Sequence, residues 1–208
     1  VSTQGAIAEV VAGGREELDT YAARILEAAR EELAAYGLRR TTLEDIAARA
    51  GVGRATLYRR FANRDTLLSA LVAHEARRLI AYVDAQMRGQ DSPSERVVAG
   101  FVAFISQLRE HRLLRRLVVS DPEEILPILT SPATLALGRE YIAAQAAREQ
   151  SGGARLRAEP HVIGELLARF AHSLALTPDS VLPLGDEEEL RELARSTLVP
   201  LVFTEAHT

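Results

Sequence analysis

A chain of 208 residues, 47% apolar and 26% charged, has the apolar content of one large or two small packed domains, which excludes a disordered tail or a fibre. It contains no Cys, so neither a disulfide framework nor thiolate chemistry is available, and a reducing cytoplasm is the expected compartment. The formal net charge is −4, and the basic residues, all Arg, are unevenly placed: residues 1–37 carry seven acids and three Arg, residues 38–64 seven Arg and two acids, and residues 65–208 fifteen Arg and twenty acids. An Arg-only composition reflects the codon bias of a high-GC genome, so only the placement of the Arg residues argues function. A basic island in an acidic chain can still steer a polyanion towards it.

Residues 1–14 have no basic start and no long apolar core, and are expected to form a flexible leader rather than a signal peptide. From Arg15 to Tyr36 a helix is expected, because Leu18, Tyr21, Ala22, Ile25, Ala29, Leu33 and Tyr36 recur on one face, with Gly37 as its C-terminal cap. Thr42 and Asp45 make a weak capping box for a second helix, in which Leu43, Ile46, Ala47 and Ala50 share a face and which Gly51 ends. The turn Gly51-Val52-Gly53 points Val52 inward. A short helix over Arg54–Phe61 then buries Leu57 and Phe61. It turns Ala55, Thr56, Tyr58, Arg59 and Arg60 outward on an arc that contains no acid. Asn63 caps a long helix that runs to about Met87, and Gly89 to Pro93 break it.

Two short helices joined by a Gly-containing turn, with the small Ala47 at the crossing, form a helix-turn-helix. Its second helix fits a DNA major groove. Thr56 can bond a base or meet a thymine methyl, and Arg59 and Arg60 can reach guanine or phosphate. Arg54 stands at the edge of the arc and Ala55 within it. Thr42 lies at a helix start, where backbone N–H groups bind phosphate, and Arg39 and Arg40 lie in the loop before it.

The segments "TTLEDIAARAGV", "ATLYRRF" and "NRDTLL" resemble the DNA-binding region of the TetR family, the tetracycline-repressor-like transcription regulators. The match covers about residues 20–72; beyond it only helix number and order are similar. Gly53 departs from the family's usual Ser, which removes a side-chain cap, and the family often has His or Lys near Arg60. The resemblance implies that the Tyr58 hydroxyl and Arg64 contact the DNA backbone, that the partner is a double-stranded DNA operator, and that the DNA-binding domain, residues 15–64, precedes a ligand-binding and dimerisation domain, residues 65–208.

Further helices are expected over Ser94–His111, over a short acidic-capped stretch interrupted by Pro127, over Thr134–Gln150, Pro160–Leu176 and Asp186–Phe203. In the helix from Pro160, Gly164, Ala168, Ala171 and Ala175 form a stripe of small residues beside a stripe of large apolar ones, so it packs on more than one side. With Leu190, Leu193, Thr197 and Leu201 of the last helix, this stripe is expected to build an intermolecular four-helix bundle in a homodimer, as the resemblance implies. A fully intramolecular core is the other reading. Similar proteins bind a small molecule inside the rear domain. Tyr82, Phe101, Phe104, Leu108, Tyr141 and Phe170 are the candidate lining, which points to a small hydrophobic effector.

No stretch of about 18 apolar residues occurs, so no membrane span is expected. The chain has no Gly-rich phosphate loop and no nucleophile elbow. His74 opens "HEARR" without a second His four residues on, and His111, His161, His172 and His207 are scattered. No catalytic residue, metal site or cofactor is expected. The resulting expectation is an all-α, dimeric, ligand-released repressor. The alternatives are an orphan DNA-binding dimer without effector, or an all-α carrier or enzyme.

Overall fold

The computed structural model describes residues 20–177 and 180–204. Arg15 to Asp19 and the expected leader lie outside the described residues. The described residues are helical apart from their connections and one antiparallel bridge between Leu156 and Phe203. The chain divides into two compact units: a front unit of residues up to Ala76 together with His111–Thr134, and a rear unit of Arg77–Glu110 with Leu135 onward.

In the front unit, α1 (Thr20–Tyr36) buries Ile25, Leu26, Ala29 and Leu33, as its periodicity predicts. Tyr21 and Tyr36, placed on that face by the same periodicity, are instead exposed, because they lie at its edges near the helix ends. Gly37 ends α1 at φ 78°, a left-handed conformation that favours glycine, and its N–H donates to Leu33 O at 2.9 Å. The capping box of α2 (Leu43–Ala50) has both arms: Asp45 N–H donates to Thr42 Oγ1 at 3.1 Å, and Thr42 N–H to Asp45 Oδ2 at 2.9 Å. Gly51, at φ 61°, closes α2, and Arg24 of α1 donates to Ala50 O at 2.6 Å, tying the two helices together. Val52 is half-buried against the core.

Next come α3 (Arg54–Arg60) and α4 (Arg64–Arg88). Leu57 and Phe61 are buried as expected, and Asn63 Oδ1 accepts from Thr66 N–H at 2.9 Å to cap α4. α5 (Pro93–Glu110) belongs to the rear unit, and the chain then returns to the front with α6 (Arg112–Ser120) and α7 (Pro122–Leu129). Leu113, Leu117, Ile125 and Ile128 complete the front core. Residues 111–134, expected in the rear domain, pack instead with the front helices. α7 also runs through Pro127 rather than stopping there. The missing N–H strands only the carbonyl of Glu123, in the first turn, where both residues are exposed to water.

Asp121, between α6 and α7, is 3% exposed. Its Oδ2 accepts from Leu38 N–H at 3.1 Å and its Oδ1 lies 3.7 Å from Arg39 Nε, so this one carboxylate holds the loop that leads into α2. Asp121→Ala is expected to destabilise the front unit by about 1–3 kcal/mol, since it strands a buried N–H. Asp121→Asn, which keeps an acceptor, should cost less. Urea melts of both variants check this order.

The rear unit holds the remainder of α4, α5, most of α8 (Pro132–Ser151), α9 (Pro160–Leu176) and a final helix. That helix consists of α10 (Glu187–Leu193), one π-helical turn (Ala194–Leu198) and α11 (Val199–Val202). Its core gathers Val98, Ile105, Ile163, Leu190, Ala194 and Phe203. Ion pairs brace it: Arg96–Glu149 at 2.6 Å and Arg195–Glu95 at 3.1 Å.

The small stripe of α9 has a partner inside this unit. A Cβ at Gly164 would stand 2.6 Å from Arg139 O and 3.0 Å from Ala143 Cβ, both on α8, and a Cβ at Gly138 would stand 3.7 Å from Ala168 Cβ. Gly164 and Ala168 therefore seat α8 of the same chain. The expectation that they meet a second subunit is corrected: spacing announces a close neighbour without saying which chain supplies it. Leu190 is buried in the same core, Leu193 packs partly against it, and Ala171 and Ala175 are half-buried. Thr197 and Leu201 remain exposed, as do Val162 and Leu166 of α9.

Candidate nucleic-acid interface

α3 is held by its apolar side and shows the other to water. Leu57 is fully buried, while Ala55, Tyr58 and Arg59 are exposed and Thr56 is half-exposed. Gly53 precedes α3 at φ −70° with open space where a Cβ would be, so neither backbone strain nor crowding requires glycine there.

The cations of this region have different roles. Arg59 and Arg40 make no hydrogen bond or ion pair among the described residues and project into solvent. Arg60 lies with its guanidinium 5.0 Å from the centroid of the Tyr21 ring, so it clamps α3 to α1 as well as facing outward. Arg64 donates to Leu38 O and lies 3.8 Å from Glu124, which fixes the start of α4 to the α1–α2 loop. Arg39 is largely exposed and leans towards Asp121. Arg54, at the first position of α3, pairs with Glu44 of α2 at 3.0 Å and lies 5.4 Å over the Tyr58 ring. The acid-free arc read from α3 alone therefore has one acid beside it, contributed by the preceding helix.

Thr42 is less available than its position suggests. Its hydroxyl donates to Asp45 Oδ2 at 2.6 Å and its N–H bonds the same carboxylate. Those hydrogen bonds hold the Asp45 carboxyl below its ordinary range. Anion binding at this helix start is left to the remaining orphan N–H groups of the first turn, those of Leu43 and Glu44. An open groove of about 540 Å³ runs beside it, lined by Glu32, Tyr36, Arg40, Asp45, Ala48 and Arg49. Its charged walls mark it as surface relief of the same face.

In the rear unit, Phe101 stacks on Phe170 with ring centroids 6.3 Å apart, and Phe104 and Leu108 pack against the same core. Tyr82 does not join them: it is exposed, on the outer side of α4. Tyr141 brings in a polar group missed in the sequence. Its hydroxyl donates to Asp84 Oδ1 at 3.3 Å, and Gln145 Nε2 donates to the same oxygen at 2.8 Å. Asp84 Oδ2 lies 2.8 Å from Arg88. Burial, with the Asp84 carboxylate beside it, pushes the Tyr141 phenol up to about 12. Its neutral form is thus favoured by folding, a contribution present below the ordinary value of 10.0 and lost as pH rises towards 12. A tyrosinate absorbance titration should show a late-ionising component that Tyr141→Phe removes.

Among the described residues no group of three or more His or acidic side chains could hold a metal ion, and no helix is long and apolar enough to cross a membrane. A two-helix motif with its second helix displayed and flanked by Arg is the arrangement of a helix-turn-helix. Residues 25–71 match the model of the bacterial regulatory proteins of the tetR family. That match covers the helix-turn-helix and part of the helix on either side of it.

Curated relatives are uncharacterized HTH-type transcriptional regulators of Mycobacterium bovis and Mycobacterium tuberculosis, each 36% identical over 99 residues, which is 47% of this chain and 50% of the relative. The chain thus spans about half the length of the curated relatives it matches. Among solved structures, the TetR family repressor AlkX from Dietzia sp., implicated in biodegradation of n-alkanes, is 20% identical over 90% of this chain and 96% of its own, with a TM-score of 0.69. The transcriptional repressor QsdR of R. erythropolis is 23% identical over 91% of this chain and 98% of its own, at 0.64. RolR, in complex with its ligand resorcinol, is 14% identical over 90% of this chain and 89% of its own, at 0.62. At these identities the likeness is one of fold.

Proposed function

We propose that this regulator is a cytoplasmic, homodimeric repressor that binds a double-stranded DNA operator through α3 and leaves it when a small, largely apolar molecule binds in the rear unit. The observation that carries the DNA reading is the outer face of α3, where Arg59, without a partner among the described residues, stands beside Thr56, Tyr58 and Ala55. Arg39, Arg40 and Arg64 would add backbone contacts, which position the protein without reading sequence. One unit of this size binds weakly, which favours a dimer. The exposed Val162, Leu166, Thr197 and Leu201 are the surface proposed for it, in place of Gly164 and Ala168.

The Phe101–Phe170 stack supports an apolar effector, and the Asp84–Tyr141–Gln145 cluster would meet a hydroxyl or amine on it. RolR with resorcinol and AlkX with its link to n-alkanes make both chemistries reasonable first probes. Because α4 runs from the front unit into the rear one, effector binding that shifts α4 would reach the DNA-reading helices.

Fluorescence polarisation against the DNA upstream of its own gene, titrated with salt and random competitor, tests this reading. Competitor-resistant binding that falls steeply with salt supports it. Failure to bind this or any genomic fragment in a pull-down would overturn it.

A further inference from the structure

Glu44 stands where a DNA-binding surface should exclude acids. It occupies the second position of α2 and is 49% exposed, and its Oε1 lies 3.0 Å from Nη2 of Arg54, which is 70% exposed. Its neighbour Asp45 is accounted for, since Thr42 N–H and Oγ1 both bond its carboxylate to close the capping box. Glu44 has no such duty. Its bond runs to the first residue of the next helix, the one that displays Thr56, Tyr58 and Arg59, and the Arg54 guanidinium is steadied 5.4 Å over the Tyr58 ring.

We propose that Glu44 is a specificity-determining residue: it neutralises Arg54 on arbitrary DNA and releases it only to a base edge that replaces the carboxylate. An exposed ion pair of this kind is weak, so the operator can break it at little cost. Against a generic duplex the pair carries no net charge, and Arg54 adds nothing to the phosphate attraction that dominates non-specific binding. At the operator, guanine O6 and N7 offer Arg54 a bidentate partner, and a cytosine N4 amine offers Glu44 one. The pair therefore weakens wrong sites more than the right one, and a difference between sites is what specificity consists of. This inference rests on the proposed reading that the α3 face binds DNA.

The test uses the full chain. Wild-type protein first selects a preferred duplex from a randomised library. The affinities of wild type, Glu44→Gln and Glu44→Ala are then measured on that duplex and on unselected duplex, with a thermal melt to confirm folding. Both variants should tighten unselected duplex by about three- to tenfold and leave the selected duplex unchanged or weaker, so that the specificity ratio falls. In an Arg54→Gln background the effect of Glu44→Gln should vanish, which a purely structural role for Glu44 would not produce. Equal tightening on both duplexes, or no change on either, overturns the proposal and leaves DNA binding intact. If wild type enriches no sequence and binds no duplex, the DNA reading itself is overturned together with this inference.

Discussion

Arg59→Ala is expected to weaken operator binding by about 1–3 kcal/mol, roughly five- to 150-fold, and to leave the melting temperature unchanged. Arg59 is exposed on α3 and has no partner within the described protein, so its removal strands nothing and empties no core. Arg60→Ala separates from it. That guanidinium covers the Tyr21 ring at 5.0 Å, so its loss loosens α3 from α1 and lowers stability along with affinity. Polarisation titrations over a salt series, run beside thermal melts, resolve the two. A phosphate contact at Arg59 lowers the salt slope by about one and affects all duplexes equally; a base contact lowers operator affinity alone. Normal operator binding by Arg59→Ala would remove α3 from the groove.

Gly164→Leu unfolds or severely destabilises the rear unit, by about 3 kcal/mol or more, because it overpacks a contact within one chain. The smallest side chain would already meet Arg139 O at 2.6 Å, and a backbone oxygen in the middle of α8 cannot swing aside. Gly164→Ala, on the same grounds, costs a measurable fraction of that. Thermal melts give the loss. Sedimentation equilibrium of Gly164→Ala, well below its melting temperature, gives the dimer constant, expected to match wild type. A weakened dimer in a variant of normal stability would return the stripe to the subunit interface. By contrast, Leu166→Glu, on the exposed side of α9, is expected to weaken the proposed dimer at little cost to folding.

The reading head was legible because its signals are local. Thr42 with Asp45, Gly51 after Ala50 and Asn63 before Arg64 each lie within a few residues of the backbone group that they satisfy, and Ile46, Leu57 and Phe61 follow helical spacing into a single core. What escaped depends on chain distant in sequence. The Glu44–Arg54 pair links two helices, Asp121 reaches Leu38 across 83 residues, and Tyr141 reaches Asp84 across 57. The small stripe of α9 correctly announced a close neighbour, but Gly164 carries no information on whether that neighbour is α8 or another chain. The π-turn at Ala194–Leu198 has no breaker residue to mark it, and so was read as ordinary helix.

The front unit is not continuous in sequence: it closes only when His111–Thr134 returns to it. That connectivity limits what protein engineering can borrow. A reading head cut off after Ala76 and fused to a foreign sensor would arrive without Leu113, Leu117, Ile125 and Ile128 against its core, and with the Leu38 N–H deprived of Asp121. A portable head needs both pieces, the second attached through a new linker in place of α5. Natural exchange of sensors by recombination at the end of the helix-turn-helix meets the same obstacle. The second piece would have to travel with the first, and α4, which runs on from the first piece into the rear unit, would have to be cut or carried along.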